Sequence, residues 1–483
     1  MGGGIAAAVG LLLAAGAAQA QIRTAPLDPA PPDYAAAVAG KLARAEARIA
    51  ALEPPRSAPG AVEIIDADDA PALRKSFIDT TRRARGWSGR AIRIASGGWT
   101  LGDVALALAA PELLACHAGR CGLGAPLLVE AGAALHIGAA AGSAELRLDQ
   151  ARGAFVVSHG LLDIRDASIS GRRPDGAPAT GVGPDFRPFL LVNDAGRLVI
   201  DGSRLAHLGY DAPTAYGVTL STTERIGEPA ARPSALIHDS TFRDLHYGFY
   251  SHGAAAVDIL DSRYLDCVVY GIDPHDGTSD MLVAGNTVQG TRIAHGIIAS
   301  RRVADIVVHD NRSIGNAGSG IALDRGVTGA VVAGNLVTGN AANGITLYES
   351  HDVTLAGNRI VRNGRNGIRL RQAAGIWIAG NIVVGNGRHG LEASNRTPER
   401  EATPEEASFA RPVTLTLAGN RFAGNRESAC SFKGIARLDL VPAPAGTVLA
   451  ACGDPPSVAG DLPWAAAIAE ADGRHEPLRL AAP

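Results

Sequence analysis

The chain has 483 residues, 59 of them glycine, and a formal net charge of −3 at pH 7. A chain of this length can bury a large core, and its nearly balanced charge gives no reason to expect nucleic-acid binding. Beyond the first twenty residues no stretch approaches eighteen consecutive apolar residues, which argues against a membrane span.

The first twenty residues are typical of a secretory signal peptide. A short apolar run ends in Ala-Gln-Ala before Gln21, although no Lys or Arg precedes the run. We therefore predict export of the protein to the periplasm of a Gram-negative cell.

Residues 21–96 form a predicted lead-in and extension. A Pro- and Ala-rich stretch is followed by a predicted helix over 33–52, and then by short β-like runs and a basic helical piece, KSFIDTTRRAR. At Thr100 the pattern Thr-Leu-Gly-Asp is a capping box. It predicts a helix over 101–115, which we expect to cover the N-terminal end of the structure that follows.

A glycine-led phrase then recurs in steps of 23 to 25 residues, which is the signature of a stacked repeat architecture. Each period holds short runs rich in Val, Ile and Leu, broken by Gly-Asn or Asn-Gly corners, and these runs are too short for helices. Three short strands per coil predict an all-β fold, a right-handed parallel β-helix over residues 97–440. The recurring glycines are Gly248, Gly271, Gly296, Gly320, Gly344, Gly367 and Gly390.

Two asparagine series follow the same period, and we expect stacked coils to align them into hydrogen-bonded ladders. One series runs from Asn286 to Asn420 and the other from Asn316 to Asn425. Insertions at 171–186, 221–233 and 395–411 are predicted loops between coils. Residues 441–483 are Pro-rich and helical-looking, and are predicted to form a C-terminal cap or tail.

Stacking also predicts columns of side chains on one strand face. The residues two, four and five positions after each glycine include His, Arg, Asp, Tyr and Glu. The residue directly after each glycine is always Phe, Ile or Leu and belongs inside. A solvated sheet more usually carries Thr, Ser, Lys and Glu. The pattern therefore favours an elongated groove for an extended ligand. Four positions after the glycines stand His252, His275, Ser300, Asp324, Tyr348, Arg371 and Ser394.

The five cysteines allow two disulfides in an oxidising compartment, Cys116 with Cys121 and Cys430 with Cys452. Cys267 is then left over, and we interpret it as a buried small side chain rather than a catalytic thiol. The sequence offers no CxxC pair, no HExxH and no phosphate-binding loop, so we predict neither a metal site nor a cofactor; calcium sites at coil corners stay open.

Candidate chemistry concentrates in YGIDPHDG, residues 270–277. Pro274 removes a ladder donor and makes this coil irregular. His275 is predicted to lie one coil from Ser300 and beside Arg301, whose charge should keep the imidazole neutral and suited to a general base. The negative charges of Asp273 and Asp276 favour the protonated imidazole instead, and these carboxylates could fix the imidazole tautomer.

The strings YGIDPHD, HGIIASR, SGIALDR, NGITLYES and NGIR, in this order between Tyr270 and Arg369, resemble the periplasmic mannuronan C5-epimerases of bacterial alginate biosynthesis. The resemblance covers residues 240–395 most clearly. It departs from the family in the missing basic start of the signal and in a second arginine, Arg302. It implies conversion of β-D-mannuronate to α-L-guluronate within the polymer, with possible partners in an alginate export complex.

Carried over position by position, the resemblance implies that His275 is the general base and that Arg301 neutralises the substrate carboxylate. Tyr270 or an ordered water would return the proton, and Asp273 would position His275 or the substrate. Neighbouring sugars would be held by the groove residues His252, Asp276, Arg325, Tyr348, Arg369 and Arg371. Between Gly271 and Gln372 ten Arg face eight Asp and Glu, an excess of two positive charges that suits a polyanion.

Two other functions share these features. A polyuronate lyase would begin with the same C5 proton abstraction and then expel the C4 oxygen. A non-catalytic carbohydrate-binding or scaffold β-helix of a secretion assembly would use the groove without chemistry.

Overall fold

The computed structural model describes residues 23–26, 32–73, 75–82, 86–181, 185–222, 231–395, 408–441, 458–460 and 478–481. Within them the chain winds through three long sheets, so that each coil contributes one strand to each sheet. Successive strands of a sheet are parallel along nearly the whole stack. The predicted right-handed parallel β-helix is therefore confirmed, with the handedness expected of parallel crossovers.

Sheet I includes fifteen strands within the described residues. They are Arg23–Pro26, Gly98–Thr100, Ala134–Gly138, Leu161–Arg165, Arg197–Asp201, Ser234–His238, Ala255–Leu260, Ser279–Ala284, Ala304–His309, Thr328–Ala333, His351–Ala356, Ala374–Ala379, Thr414–Ala418, Arg437–Val441 and Leu478–Ala481.

Sheet II carries the candidate site and also has fifteen strands in the described part of the chain. They are Val62–Asp66, Arg90–Ile94, Leu127–Val129, Val156–Ser158, Leu190–Asn193, Gly217–Ser221, Tyr247–His252, Tyr270–His275, Ile297–Ser300, Ile321–Asp324, Ile345–Tyr348, Ile368–Arg371, Leu391–Ser394, Cys430–Lys433 and Val458–Gly460.

Sheet III has thirteen strands, again counting described residues alone. They are Leu114–His117, Arg120–Leu123, Glu145–Asp149, Ser168–Arg172, Arg204–Ala206, Thr241–Arg243, Arg263–Leu265, Thr287–Gln289, Arg312–Ile314, Leu336–Thr338, Arg359–Val361, Ile382–Val384 and Arg421–Ala423.

The core fills the space between the three sheets. The apolar residue after each repeat glycine points inward and is 0–1% exposed, as predicted. These residues are Phe249, Ile272, Ile297, Ile321, Ile345, Ile368 and Leu391. Because every coil repeats the same inward set, the core is one continuous column of aliphatic side chains.

The predicted asparagine ladders are present at two corners of the stack. Asn335 Oδ1 accepts hydrogen bonds from the backbone N and the Nδ2 of Asn311, at 2.9 and 3.0 Å, and Asn335 in turn donates to Asn358. The second ladder runs through Asn340 and Asn363 in the same way. Each side chain satisfies the polar groups of its neighbour, so these buried amides close the corners without unpaired atoms.

Three α-helices surround the solenoid in the described residues: α1 (Tyr34–Ala50), α2 (Lys75–Thr81) and α3 (Leu101–Leu108). Short 3-10 turns lie at Ala67–Asp69, Pro71–Leu73 and Gln150–Arg152. The capping box at Thr100 is confirmed, because Thr100 and Asp103 exchange side chain-to-backbone hydrogen bonds. The predicted helix over 101–115 is too long: the chain turns left-handed at Ala109 and enters a strand at Leu114.

Helix α1, which the sequence predicted, lies on the outer face of sheet I. Its apolar stripe packs on Leu236, Leu260, Leu282 and Val307. Basic side chains from the same helix reach carboxylates on the sheet; Lys41 Nζ lies 2.7 Å from Asp280 and 3.0 Å from Asp305. This cover closes the outer face of sheet I and leaves that of sheet II free of helix α1.

Other predictions have mixed outcomes. The Cys116–Cys121 disulfide is present with an S–S distance of 2.07 Å, and Cys267 is a buried free thiol. Cys430 is also disulfide-bonded, while Cys452 lies outside the described residues. The signal peptide lies outside them as well, as do residues 223–230 and 396–407 of two predicted loops; the predicted loop 171–186 is described apart from 182–184. Beyond residue 441 the two described pieces, Val458–Gly460 and Leu478–Ala481, are strands rather than the expected helix.

Candidate active site

The predicted columns are confirmed on sheet II. His252, His275, Ser300, Asp324, Tyr348, Arg371 and Ser394 occupy paired positions in successive strands. The strand Tyr270–His275 pairs with the next one only at Ile272 and His275. The break falls at Asp273 and Pro274, as expected from a proline that cannot donate a ladder hydrogen bond.

The residues five positions after the repeat glycines form a strained corner. Asp276, Arg301, Arg325, Glu349 and Gln372 all have left-handed backbone, with φ between 42° and 55°. Left-handed residues other than glycine cost on the order of 1 kcal/mol each, and such positions gather at functional sites. Here the conformation aims a charged side chain from each of four successive coils at the same edge of the groove.

The imidazole of His275 is held by Asp276. Its Nδ1 lies 2.5 Å from Asp276 Oδ2, and both side chains are about one-fifth exposed. Burial by itself would raise the pKa of Asp276, but the hydrogen bond from His275 and the charges of His275, His252 and Arg301 outweigh it and lower the pKa. Asp276 is therefore a carboxylate at neutral pH, which favours a proton on Nδ1 and leaves Nε2 unprotonated in the neutral imidazole.

The sequence left Asp273 and Asp276 as candidates to fix the His275 tautomer and also grouped Asp276 with the substrate-binding residues. The structure places Asp276 against the imidazole. Asp273 is 2% exposed, and its Oδ1 makes no hydrogen bond among the described residues. Burial, together with the negative charges of Asp276 and Asp324, raises the pKa of Asp273 well above its usual range. Asp273 is thus a buried carboxyl group beneath the groove, and its ionisation is disfavoured by burial and by the neighbouring carboxylates.

A group of aromatic rings borders Asp273 and His275. Tyr250 pairs with Asp273 across the strands, and its ring centroid lies 5.8 Å from that of His275. Tyr247 stacks on Tyr216 at 4.4 Å and meets the edge of Tyr270 at 5.0 Å. Tyr216, Tyr247 and Tyr250 were not predicted as site residues, although Tyr250 falls in the column two positions after a repeat glycine.

Tyr270 lies at the opposite end of the catalytic strand from His275. Burial first, and then the charge of Asp273, raises the pKa of Tyr270 to about 12, so the phenol is protonated at neutral pH. On its other side the ring stacks on His295 at 6.0 Å. Five residues of strand separate the two Cα atoms by roughly 16 Å, so the two side chains can approach a sugar ring from its two sides.

The predicted groove residues beyond Arg301 are brought together as ion pairs and stacks. Arg325 contacts Asp324 at 2.7 Å, and the Arg371 guanidinium lies 4.1 Å from the centre of the Tyr348 ring. Arg369 pairs with Glu392, a carboxylate that is 6% exposed. The sequence found these cations and Tyr348, but not the pairing of Arg369 with Glu392 on the neighbouring coil.

Within the described residues no cluster of three His, Cys, Asp or Glu side chains is placed to hold a metal ion. No helix of those residues is long and apolar enough to cross a membrane.

The chain is similar to one protein family and to several curated proteins. Residues 206–401 match the family described as periplasmic copper-binding protein (NosD). Mannuronan C5-epimerase of Pseudomonas aeruginosa is 42% identical over 291 residues, 58% of this chain and 53% of that protein. Mannuronan C5-epimerase AlgG of Azotobacter vinelandii is 40% identical over 289 residues, 57% of this chain and 54% of that protein.

The structural comparison extends further along the chain. The crystal structure of the periplasmic alginate epimerase AlgG superposes with a TM-score of 0.75 at 28% identity, covering 90% of this chain and all of that one. The chain spans about half the length of the curated relatives it matches. The resemblance to mannuronan C5-epimerases stated from the sequence is thereby confirmed.

Proposed function

We propose that the chain is a polymer-level mannuronan C5-epimerase, an isomerase that converts β-D-mannuronate to α-L-guluronate within alginate. The observation that carries the proposal is the His275–Asp276 pair, held at a left-handed corner next to Arg301 on the polar face of sheet II. The curated relatives named above support the same reaction class.

The first step removes the proton at C5, which lies α to the uronate carboxylate. With the Asp276 carboxylate accepting from Nδ1–H at 2.5 Å, the Nε2 lone pair of His275 takes this proton. The same arrangement stabilises the imidazolium that forms, in the way an aspartate orients the histidine of a hydrolase triad.

Arg301 stabilises the charge that develops on the carboxylate. Removing the C5 proton spreads negative charge onto the carboxylate oxygens, and a fixed cation in a partly dehydrated groove lowers the energy of that state. Arg301 lies at the corner one coil beyond Asp276, where the Gly277 backbone N donates to the Arg301 carbonyl at 2.9 Å. Its backbone is thereby anchored while its guanidinium stays available to the substrate.

The second step returns a proton to the opposite face of C5. Tyr270, protonated at neutral pH, is the proposed donor, with an ordered water as the alternative source. Asp273, a buried residue of the catalytic strand that pairs with Tyr250 on the preceding strand, supports the floor beneath the reacting sugar. The raised pKa of Asp273 limits repulsion between this carboxyl group and the substrate carboxylate.

The remaining predicted residues hold neighbouring sugars. Arg325, Arg369 and Arg371 each have a carboxylate partner within the groove, so a uronate can share or exchange with that partner. The face of Tyr348 is already covered by Arg371, and His252 lies beside His275 on the preceding strand. We assign these five residues to substrate binding.

We further propose that the protein works in the periplasm after removal of residues 1–20. The matching crystal structure is that of a periplasmic epimerase. Association with an alginate export complex follows from the same family resemblance and belongs to this proposal. So does the division into an extension (21–96), the β-helix (97–440) and a C-terminal cap or tail (441–483).

One experiment with two readouts tests the function. Protein from Gln21 onward is incubated with polymannuronate in D₂O while proton NMR and ultraviolet absorbance of unsaturated uronate are followed together. Guluronate signals with deuterium at C5 and no rise in absorbance are expected. A rise in absorbance with chain shortening would establish the lyase instead, and silence in both readouts would leave the binding scaffold.

A further inference from the structure

The outer face of sheet II differs on the two sides of the catalytic strand Tyr270–His275. Toward the N-terminus, three strands point Leu128, Val157 and Leu191 outward, and each is at most 1% exposed. Toward the C-terminus, the outward column from Thr346 onward continues with Arg369 and Glu392. An apolar, fully buried outer face must be covered by something.

The cover is a packed hydrophobic cluster, which we call the N-terminal wall. It comprises buried residues of the extension and of the first coils: Ala67, Ala70, Leu73, Phe77, Ile78, Phe155, Phe189 and Tyr210. The Phe77 ring lies 4.9 Å from Phe189 and 5.9 Å from Phe155, which stack on each other at 4.7 Å. The wall has its own core and so is a fixed part of the fold.

The wall directly adjoins the candidate active site. Tyr210 of the wall is 2% exposed, and its ring contacts Phe189. Six residues later, Tyr216 stacks on Tyr247, whose ring contacts Tyr270. Between Leu191, beneath the wall, and Asp273 lie only the strands Gly217–Ser221 and Tyr247–His252. At the spacing of parallel strands these two strands occupy roughly 10 Å, and Leu191 lies about 14 Å from Asp273.

On the other side the polar face continues much further. Six strands follow the catalytic strand, from Ile297–Ser300 to Cys430–Lys433, which amounts to roughly 29 Å. Near their end is a cleft of about 230 Å³ lined by four cations, Arg365, Arg369, Arg388 and Lys433, with Asn343 and Asn366. Both asparagines are at least nine-tenths buried.

Charge is distributed in the same unequal way. The strands Gly217–Ser221 and Tyr247–His252 contain no Lys or Arg, and His246, between them and the wall, has its pKa lowered by burial to about 4. On the other side Arg301 and Arg325 stand at the corners that follow their strands, and the strand Ile368–Arg371 carries two arginines. Every uronate carries one carboxylate, so it should bind more tightly on this side than on the wall side.

We infer that the groove binds the polyuronate asymmetrically, with the reacting sugar near the end closed by the N-terminal wall. This inference rests on the proposed function. A sugar of an extended chain is about as long as one strand spacing, roughly 5 Å. About two sugars therefore fit on the wall side of the reacting residue and about six on the cationic side.

Oligomannuronates of increasing length test the inference. The enzyme is incubated with oligomannuronates of increasing length until conversion is seen, and with polymannuronate in a parallel reaction. The position of the first guluronate is then found by tandem mass spectrometry of the end-labelled product. We expect it within three residues of the same chain end at the shortest converted length and at the next lengths. A first guluronate at the centre, or spread evenly, would overturn the inference alone. Polymannuronate without any guluronate would overturn the proposed function.

A charge variant provides a second arm. Arg365, which has no ion-pair partner in the described part of the chain, lines the cleft about four coils from His275. Arg365→Gln should raise KM for polymannuronate about three- to tenfold, less at high salt, without changing kcat. The matched control is Arg243→Gln, an exposed arginine paired with Asp266 on sheet III, which should leave KM unchanged. An unchanged KM for Arg365→Gln would contradict the cationic arm.

Discussion

Two columns run through the same coils, the asparagine ladder from Asn286 and the groove column through His275, and they are built on opposite rules. The ladder repeats one residue type in every coil, and each amide satisfies the next at about 3 Å. The groove column carries five residue types over seven coils and leaves Ser300 Oγ without a hydrogen bond among the described residues. A column whose side chains satisfy one another's hydrogen bonds stabilises the fold, whereas a column with unpaired polar atoms is suited to binding a ligand.

The largest effect should come from the groove column. His275→Gln removes the base while keeping a polar side chain, and we expect kcat to fall by about 10²- to 10⁴-fold. Polymer binding and the melting temperature should change little, because His275 is partly exposed. Rates are measured by NMR on polymannuronate, with His309→Gln, a partly exposed histidine of sheet I, as the control. Unreduced turnover would remove His275 from the mechanism.

The next effect concerns charge stabilisation. Arg301→Gln should lower kcat about 10²- to 10³-fold, because the developing carboxylate charge loses its fixed cation. Arg302→Gln is a closely matched control, since Arg302 is the next residue and shares the left-handed backbone. We expect it to change kcat by less than about threefold. Equal losses in both variants would show that local charge, rather than the position of Arg301, matters.

The ladder should respond in stability instead of activity. Asn335→Ala deletes an amide that donates to Val308 and Asn358 and leaves two donors of Asn311 unpaired in the core. The free energy of unfolding should fall by about 2–4 kcal/mol. Denaturant titration measures the loss, with exposed Arg359→Ala as the control. The kcat of the folded fraction should stay at the wild-type value, and a matching loss of kcat would break the distinction between the columns.

A smaller loss is expected for the positioning residue of the base. Asp276→Asn removes the carboxylate that fixes the His275 tautomer, and kcat should fall about 10- to 100-fold with little change in KM. Because the pKa of Asp276 is lowered, the wild-type pair stays intact as pH falls until that low pKa is reached. The pH profile of kcat should therefore differ in shape between the two proteins. Asp310→Asn, an exposed left-handed corner of sheet I, should be neutral.

The smallest effect concerns helix α1. Burial opposes ionisation of Asp280, but hydrogen bonds from Lys41 and Arg44 outweigh it and lower the Asp280 pKa. The stabilisation is present above the unfolded pKa near 3.8 and is lost as pH falls through the lower folded value. The hydrogen-exchange rates of the α1 backbone amides, divided by their intrinsic rates at each pH, should therefore rise below about pH 4. Arg44→Met should raise these exchange rates at neutral pH. Protection of the α1 amides that does not change with pH would contradict the docking of the helix through Asp280.

The sequence predicted the structural features that follow from the spacing of the repeats. The repeat glycines fixed the register, so the stacking of His252, His275 and Ser300, and both asparagine ladders, followed directly. The capping box at Thr100 was also local and correct. The end of α3 was predicted too late, because the left-handed turn at Ala109 is not marked by a glycine.

Features that depend on side-chain direction or long-range docking were missed. Which of two nearby carboxylates meets His275 depends on the bend at Pro274 and the corner at Asp276, and sequence spacing does not determine either. The N-terminal wall joins Phe77 to Phe155 and Phe189 across more than seventy residues, with no periodic signal to indicate it. Partners such as Glu392 for Arg369 likewise come from neighbouring coils.

The most direct test of the central claim follows the C5 proton itself. Mannuronan deuterated at C5 is given to wild-type and His275→Gln protein under single-turnover conditions, and deuterium released to water is measured beside polymer binding. We predict release at the rate of guluronate formation in the wild type, with a slowing by the isotope, and at least a hundredfold slower release in the variant despite retained binding. Equal release by both proteins would contradict the assignment of His275 as the base.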